Sequence, residues 1–332
     1  MPLRSREAPR AALVYNPVKV DERMLRGQLI ALSRQAGWAR PGFHATTIHD
    51  PGQDAARRAL ERDIDAVLVA GGDGTVRAVS EVMAGTGIPL AILPSGTGNL
   101  FARNLRLPLG DPEAMIRAVF AGTTAPIDVG WARLTRADGS HEEHTFVVLA
   151  GMGLDAHMIA NTRADLKKSV GWIAYVEGAA RALPSSSPFR VAYQVDEERL
   201  HTAKVHSMLF ANCGALPGGI SLIPEASLQD GALDVALIHA SGALGWFGVW
   251  RKVWWDNSVL RRFRMGRLVL ENRSSNAAVR YLRGRAVEAA SPRAAPIELD
   301  GDEFGEATGI RCRVQEGALT MIVPPGHALS GV

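Results

Sequence analysis

The chain has 332 residues, 47% of them hydrophobic and 21% charged, and a formal net charge of only +3. This excludes a disordered chain, which would carry too few apolar residues to fold, and the length exceeds a usual single core, so two domains are expected. The 37 Lys and Arg are offset by 34 Asp and Glu, which leaves nucleic-acid binding unexpected as the main activity because phosphate neutralisation needs a concentrated basic stripe.

In chain order, the apolar run at 11–15 is shorter than the hydrophobic core of a signal peptide, so secretion is not expected. The first third alternates β-type runs with helical patterns: AALVY (11–15), a helix over 21–36, FHATTI (43–48), a helix over 54–63, AVLVA (66–70), a helix over 76–83 and PLAILP (89–94). Four- to six-residue apolar runs between amphipathic stretches predict βαβ units and a parallel sheet covered on both faces, an α/β domain over 1–126. From Ile127 the segments are β-type and bounded by turns: IDVGWARL (127–134), the turn pair Asp138-Gly139, HTFVVLAG (144–151), FRVAYQV (189–195), KVHSMLFANC (204–213) and ALDVALIH (232–239). They predict a β-rich, mostly antiparallel second domain over 127–316. A helical insertion is expected over 165–183, stopped by Pro184 and the serines after it. The strand ALTMIVPP (318–325) is expected to return to the first domain. No apolar run reaches 18 residues, so no spanning helix is expected. Cys213 and Cys312 are far apart, which implies neither a disulfide framework nor a zinc knuckle and fits a reducing compartment.

The chemistry concentrates at Gly71-Gly72-Asp73-Gly74-Thr75, directly after one strand and before a helix. Glycines at such a junction let the backbone approach a phosphate, and the helix N-terminus aims N–H groups and a positive dipole end at it. No Gly-Lys-Ser/Thr occurs, so this is not a Walker loop. Asp73 among phosphates requires either a bridging Mg²⁺ or a bonded donor. The pattern recurs at Pro94-Ser95-Gly96-Thr97-Gly98-Asn99, again between a strand and a helical run. Two such loops at the carboxyl ends of neighbouring parallel strands build a ligand cleft.

GGDGT followed by PSGTGNLFARNLRLP, with Asn16-Pro17 ending the first strand, resembles the diacylglycerol kinase and sphingosine kinase-like lipid kinases. IDVG with Asp128, AGMGLDA with Asp155, QDGALDV with Asp230 and Asp234, and LDGDEFG with Asp300 and Asp302 continue the resemblance in order from Ala11 to Pro325. It implies an NAD kinase-like α/β nucleotide domain followed by a β-sandwich lipid-binding domain, with the active site in the cleft between them. ATP would be contacted by Asn16, one of Thr46 and Thr47, Gly71, Gly72, Asp73, Gly74, Thr75, Gly96, Thr97 and Asn99. Asp302 would deprotonate the lipid hydroxyl, with Glu303 held open because the family's Asp-Gly-Glu is here Asp-Gly-Asp and an Asp reaches about one methylene less far. Ser227, Asp230 and Ala232, linked to Asp128, resemble a Mg²⁺ site of bacterial members, although Asp230-Gly231 also reads as a plain hairpin turn. Leu100 stands where many bacterial diacylglycerol kinases have Asp. The implied activity is ATP- and Mg-dependent phosphorylation of a membrane lipid, diacylglycerol first, by a cytoplasmic enzyme peripherally associated with the inner membrane face, with a homodimer left open. An NAD kinase-type phosphotransferase, or a kinase acting on a sphingoid base, ceramide or phosphatidylglycerol, is the alternative.

Weaker patterns yield to simpler ones. Gly151-Met-Gly-Leu-Asp-Ala156 formally fits a dinucleotide fingerprint, but its acidic partner, Glu177, lies in a helical pattern rather than at a strand end. His141-Glu142-Glu143-His144 fits no zinc-protease spacing and reads as a hairpin tip. Trp246, Phe247, Trp250, Val253 and Trp254 share one helical face, flanked by Arg251, Lys252, Arg261, Arg262, Arg264 and Arg267; this face either covers the β domain or docks on an anionic membrane.

Overall fold

The apolar run AALVY and its companions AVLVA and PLAILP become parallel strands whose residues are almost all buried, while the edge strand in FHATTI is half-buried throughout. The computed structural model describes residues 8–153, 187–214, 223, 226–239, 279–327 and 329. Two units are distinguished, Met1–Val129 with Glu316–Val332, and Gly130–Gln315.

In the first unit, β1 (Ala11–Tyr15), β2 (Gly42–Ala45), β3 (Ala66–Gly71) and β4 (Leu90–Pro94) form a parallel sheet in the order β4-β3-β1-β2. The C-terminal end of β14 (Asp302–Val323) lies beside β4, with Met321 opposite Leu90. Every residue of β1 and β3 is buried, which is the environment that unbroken Val/Leu/Ala runs satisfy. The connections are α1 (Glu22–Gln35), α2 (Gln53–Leu60) and α3 (Asp73–Met83), followed by α4 (Leu100–Asn104) and α5 (Pro112–Ala121). Helix α5 contacts α1, β3 and β4, while α2 contacts α3, β1 and β2, so helices cover the sheet as predicted. Caps set the helix starts: Asp21 accepts the Met24 N–H, and Asp111, with Pro112 after it, accepts the Ala114 N–H. Strand β2 stops at Ala45, three residues short of the apolar run, because Thr47 and Asp50 bond each other's backbone and turn the chain.

The second unit is antiparallel. Its strands are β5 (Thr123–Thr135, shared with the first unit), β6 (His141–Phe146), β7 (Leu149–Met152), β8 (Phe189–Val195), β9 (His201–Val205), β10 (Ser207–Ala211), β11 (Leu233–Ile238), β12 (Val279–Gly284), β13 (Ala286–Leu299) and the first part of β14. One row runs β12-β11-β10-β7-β13-β14. The long β13 pairs with β8 through its first half and with β7 through its last residues, its register shifting between Ala290 and Ala295. The strands of this unit share a core that includes Phe146, Tyr193, Met208, Phe210, Val287, Ile297 and Cys312. Each fully buried Leu, Ile, Val, Phe or Met contributes about 1.5–3 kcal/mol. The run HTFVVLAG is two strands rather than one. The break at Val147 and Val148 has a specific cause: their N–H groups and that of Leu149 all donate to the buried carboxylate of Asp300, at 2.8 Å each. His141 to His144 lie in β6 paired with β5, after the turn at Asp138-Gly139. No helix among the described residues is long and apolar enough to cross a membrane. Asp155, the expected helix over 165–183 and the Trp- and Arg-rich segment 243–267 lie outside the described residues.

Candidate active site

The parallel strands end level with one another. Tyr15 is in register with Ala45 on one side and Ala70 on the other, and Gly71 is in register with Pro94. The next residues of each strand, Asn16, Thr46, Gly72 and Ser95, therefore leave the same sheet edge at the same height. Along the chain the strands step outward from β1 to β2, then cross to β3 and step outward again to β4, so β1 and β3 flank a topological switch point, the place where open α/β sheets bind ligands. The Asn16 N–H donates to the Ala70 carbonyl at 2.9 Å across this point.

The two glycine-rich loops are built against each other. A side-chain carbon placed on Gly96 would come within 2.9 Å of the Gly72 Cα, and one on Gly98 within 2.6 Å of an Asp73 carboxylate oxygen. One on Gly71 would strike the Thr75 side chain at 2.6 Å. Gly96 is glycine because two backbones must touch, and Gly98 and Gly71 because the Asp73 and Thr75 side chains occupy the space a side-chain carbon would need. Asp73 closes the arrangement: Oδ2 accepts the Asn99 N–H at 2.9 Å and Oδ1 the Leu100 N–H at 2.5 Å. The carboxylate of the first loop thus holds the first backbone donors of α4, just after the second loop, while Asp73 itself opens α3. Of the two explanations left open for this acid, bonded donors are the one observed. Asn99, in the left-handed conformation at φ 49°, completes its loop by accepting the Gly96 N–H through Oδ1 and donating to the Gly96 carbonyl through Nδ2. The Ser95 N–H donates to the Gly71 carbonyl at 3.1 Å.

Beside them, Thr47 is exposed whereas Thr46 is buried. The Thr47 hydroxyl accepts the Asp50 N–H at 3.1 Å. Asp50 was not singled out in the sequence, yet its carboxylate takes the N–H groups of Gly52, Asp54 and Ala55 and pairs with Arg58; Asp50-Pro51-Gly52 before a helical pattern was the available signal. Burial, above all, raises the pKa of the Tyr15 hydroxyl. Thr75 is buried and Thr97 exposed. The structure thus assembles Asn16, Thr47, Gly71, Gly72, Asp73, Gly74, Thr75, Gly96, Thr97 and Asn99 on one sheet edge.

Asp128 is buried in the same unit, where it accepts the Gly317 N–H at 2.8 Å. In the second unit, Asp300 (φ 52°) and Gly301 (φ 88°) make the turn between β13 and β14. Asp302 and Glu303 follow it on opposite faces of β14, Asp302 half-buried and Glu303 exposed. Asp230 accepts the Ala232 N–H at 3.2 Å through one oxygen and pairs with Arg283 through the other, while the Ser227 hydroxyl accepts the Gln229 N–H at 3.4 Å. A hard divalent cation is held by oxygen ligands, and the Asp230 carboxylate, one oxygen on the Ala232 N–H and the other paired with the Arg283 guanidinium, does not fit Mg²⁺. Among the described residues no cluster of three His, Cys, Asp or Glu could hold a metal ion.

A parallel nucleotide-type sheet with two glycine loops at its switch point, joined to an antiparallel β unit, defines an NAD kinase-like architecture. The solved structure of an NAD kinase from Archaeoglobus fulgidus in complex with ATP shares it at a TM-score of 0.50 and 13% identity, covering 96% of this chain and 95% of that one. The structure of a diacylglycerol kinase from Bacillus anthracis str. Sterne is more similar, with a TM-score of 0.65 at 19% identity over 98% and 100% of the two chains. Residues 10–132 match the diacylglycerol kinase catalytic domain, and residues 147–323 the YegS C-terminal NAD kinase beta sandwich-like domain. A diacylglycerol kinase of Bacillus subtilis (strain 168) is 30% identical over 233 residues, 69% of this chain and 73% of that one. The chain belongs to the diacylglycerol kinase family.

Proposed function

We propose that this protein transfers the γ-phosphoryl group of ATP to the hydroxyl of a membrane lipid, diacylglycerol in the first instance. The observation that carries the reading is the pair of glycine loops locked together through Asp73 at the switch point, a cradle of backbone N–H groups suited to a polyphosphate. The loops orient the triphosphate, Asn16, Thr47 and Thr97 fix its position, and Asp302 accepts the proton of the attacking hydroxyl. Mg²⁺ carried with the nucleotide would neutralise charge on the transferred phosphoryl group. Positioning and electrostatics supply most of the rate in such transfers. The enzyme would work in the cytoplasm and reach its lipid by peripheral membrane contact, with residues 243–267 as the docking element.

The test is incubation of the protein with labelled ATP and a fractionated lipid extract, followed by mass identification of the labelled product. Label in phosphatidic acid supports the reading, label in another lipid phosphate moves the substrate, and NADP formed from NAD in place of any lipid product overturns it.

A further inference from the structure

Asp230 belongs to a turn that precedes β11, and the geometry around it supplies a charge from the protein itself. Gly231, at φ 67°, bends the chain, and the Ala232 N–H closes a two-residue ring onto Asp230 Oδ1 at 3.2 Å. Strand β12 runs antiparallel to β11 with Arg283 directly opposite Asp234 and Gly284 opposite Leu233. The long Arg283 side chain reaches past the end of β11 to the second oxygen of Asp230. Gly284 can carry no side chain, since a carbon there would lie 2.5 Å from Val195 and 2.9 Å from Asp196, so β12 holds Arg283 at a fixed place in the row. The pair lies at the surface, its side chains 25% exposed at Asp230 and 44% at Arg283, and Asp234 across the strand adds a second carboxylate on the same register position.

A divalent cation on Asp230 would share that carboxylate with a guanidinium, and the two positive charges would repel at short range. The guanidinium supplies what a bound ion would supply to a carboxylate in a tight turn: charge balance and fixed donors, without dehydrating a hard cation. We propose that Arg283 replaces a metal ion at the Asp230 turn, so that this turn is held without a divalent cation. The inference concerns the turn alone and holds whatever the phosphoryl acceptor proves to be.

The experiment is thermal unfolding of the full chain without nucleotide, after treatment with EDTA and then across a Mg²⁺ titration, for the native protein, Arg283→Gln and Asp230→Asn. The native melting temperature should be the same with EDTA and with Mg²⁺. Arg283→Gln should melt lower in EDTA and recover several degrees with Mg²⁺, because removing the guanidinium frees the carboxylate for an ion that then stabilises only the folded state. A native protein that gains several degrees with Mg²⁺, the gain being absent in Asp230→Asn, overturns the proposal. Should Arg283→Gln fail to fold, Mn²⁺ binding to the native chain, read by electron paramagnetic resonance, decides: no Asp230-dependent site upholds the inference, and one equivalent bound and lost in Asp230→Asn refutes it. Neither readout requires phosphoryl transfer, so an inactive preparation leaves this test intact.

Discussion

Replacing Asp73 by Ala removes the tie between the glycine loops. Two charge-assisted bonds are lost, from Asn99 N–H at 2.9 Å and Leu100 N–H at 2.5 Å, and such bonds contribute about 1.5–3 kcal/mol each. Asp73 is partly exposed, so water replaces some of that contribution, and about 2–3 kcal/mol is the expected local loss for the pair. At 1.4 kcal/mol per factor of ten, local opening of the second loop should become about 30- to 150-fold more frequent. Amide hydrogen exchange reads this directly: Asn99 and Leu100 should exchange faster by that factor, while amides in β1 and β3 keep their protection and the fold survives. Phosphoryl transfer should be abolished in the same variant, because the cradle is no longer held in one geometry. Unchanged exchange at Asn99 and Leu100, or near-native turnover, would refute the reasoning.

Three further outcomes follow. Asp302→Ala should lower kcat by about 10²–10⁴ and Glu303→Ala by no more than a few-fold, the range expected for a general base; the reverse ranking would pass the role to Glu303. Asp300→Ala leaves the N–H groups of Val147, Val148 and Leu149 without their acceptor, a cost of about 3–5 kcal/mol for a buried network, so the melting temperature should fall by about 6–20 °C, and a fall under about 3 °C would show that these bonds do not hold the strand break. Burial, with His239 and Lys204 nearby, lowers the pKa of His206 below 6.5, and burial with Arg58 and Arg62 does the same for His44; since the folded state then binds fewer protons than the unfolded one, stability should decline as pH falls below about 6.5. Melting curves between pH 7.5 and 5.5 check this, and His206→Gln should flatten the slope.

The parallel sheet was legible because a strand buried on both faces must be apolar throughout, and AALVY coincides with β1 to the residue; FRVAYQV coincides with the antiparallel β8 for a different reason, the alternation of its buried side chains. The loops were legible for a related reason, since only glycine at position 96 permits the contact with Gly72. What local pattern could not carry was long-range bonding. The Asp73 bonds join residues 26 and 27 positions apart, and the Asp300 bonds that split β6 from β7 span 151 to 153. Helix α5 was overlooked although Asp111-Pro112 is a capping signal, because it follows α4 without an intervening strand. Strands β12 and β13 were overlooked because their Arg, Pro and Gly content breaks the alternation that marks a half-buried strand. The Asp230–Arg283 pair joins two strands distant in sequence, and the turn motif alone gave no hint of a cation arriving from β12.

The Asp73 bridge also determines when the nucleotide cradle acquires its shape. A loop ordered by its ligand spends part of the binding energy on that ordering, and affinity falls accordingly. Here the ordering contacts are internal to the protein and form as the parallel sheet folds, so the cradle exists before any phosphate enters. Its acid is equally settled in advance: two N–H groups already face the Asp73 charge, which reduces its repulsion of an arriving polyanion. Nucleotide capture should therefore resemble docking onto a rigid surface, with association limited by encounter rather than by loop closure.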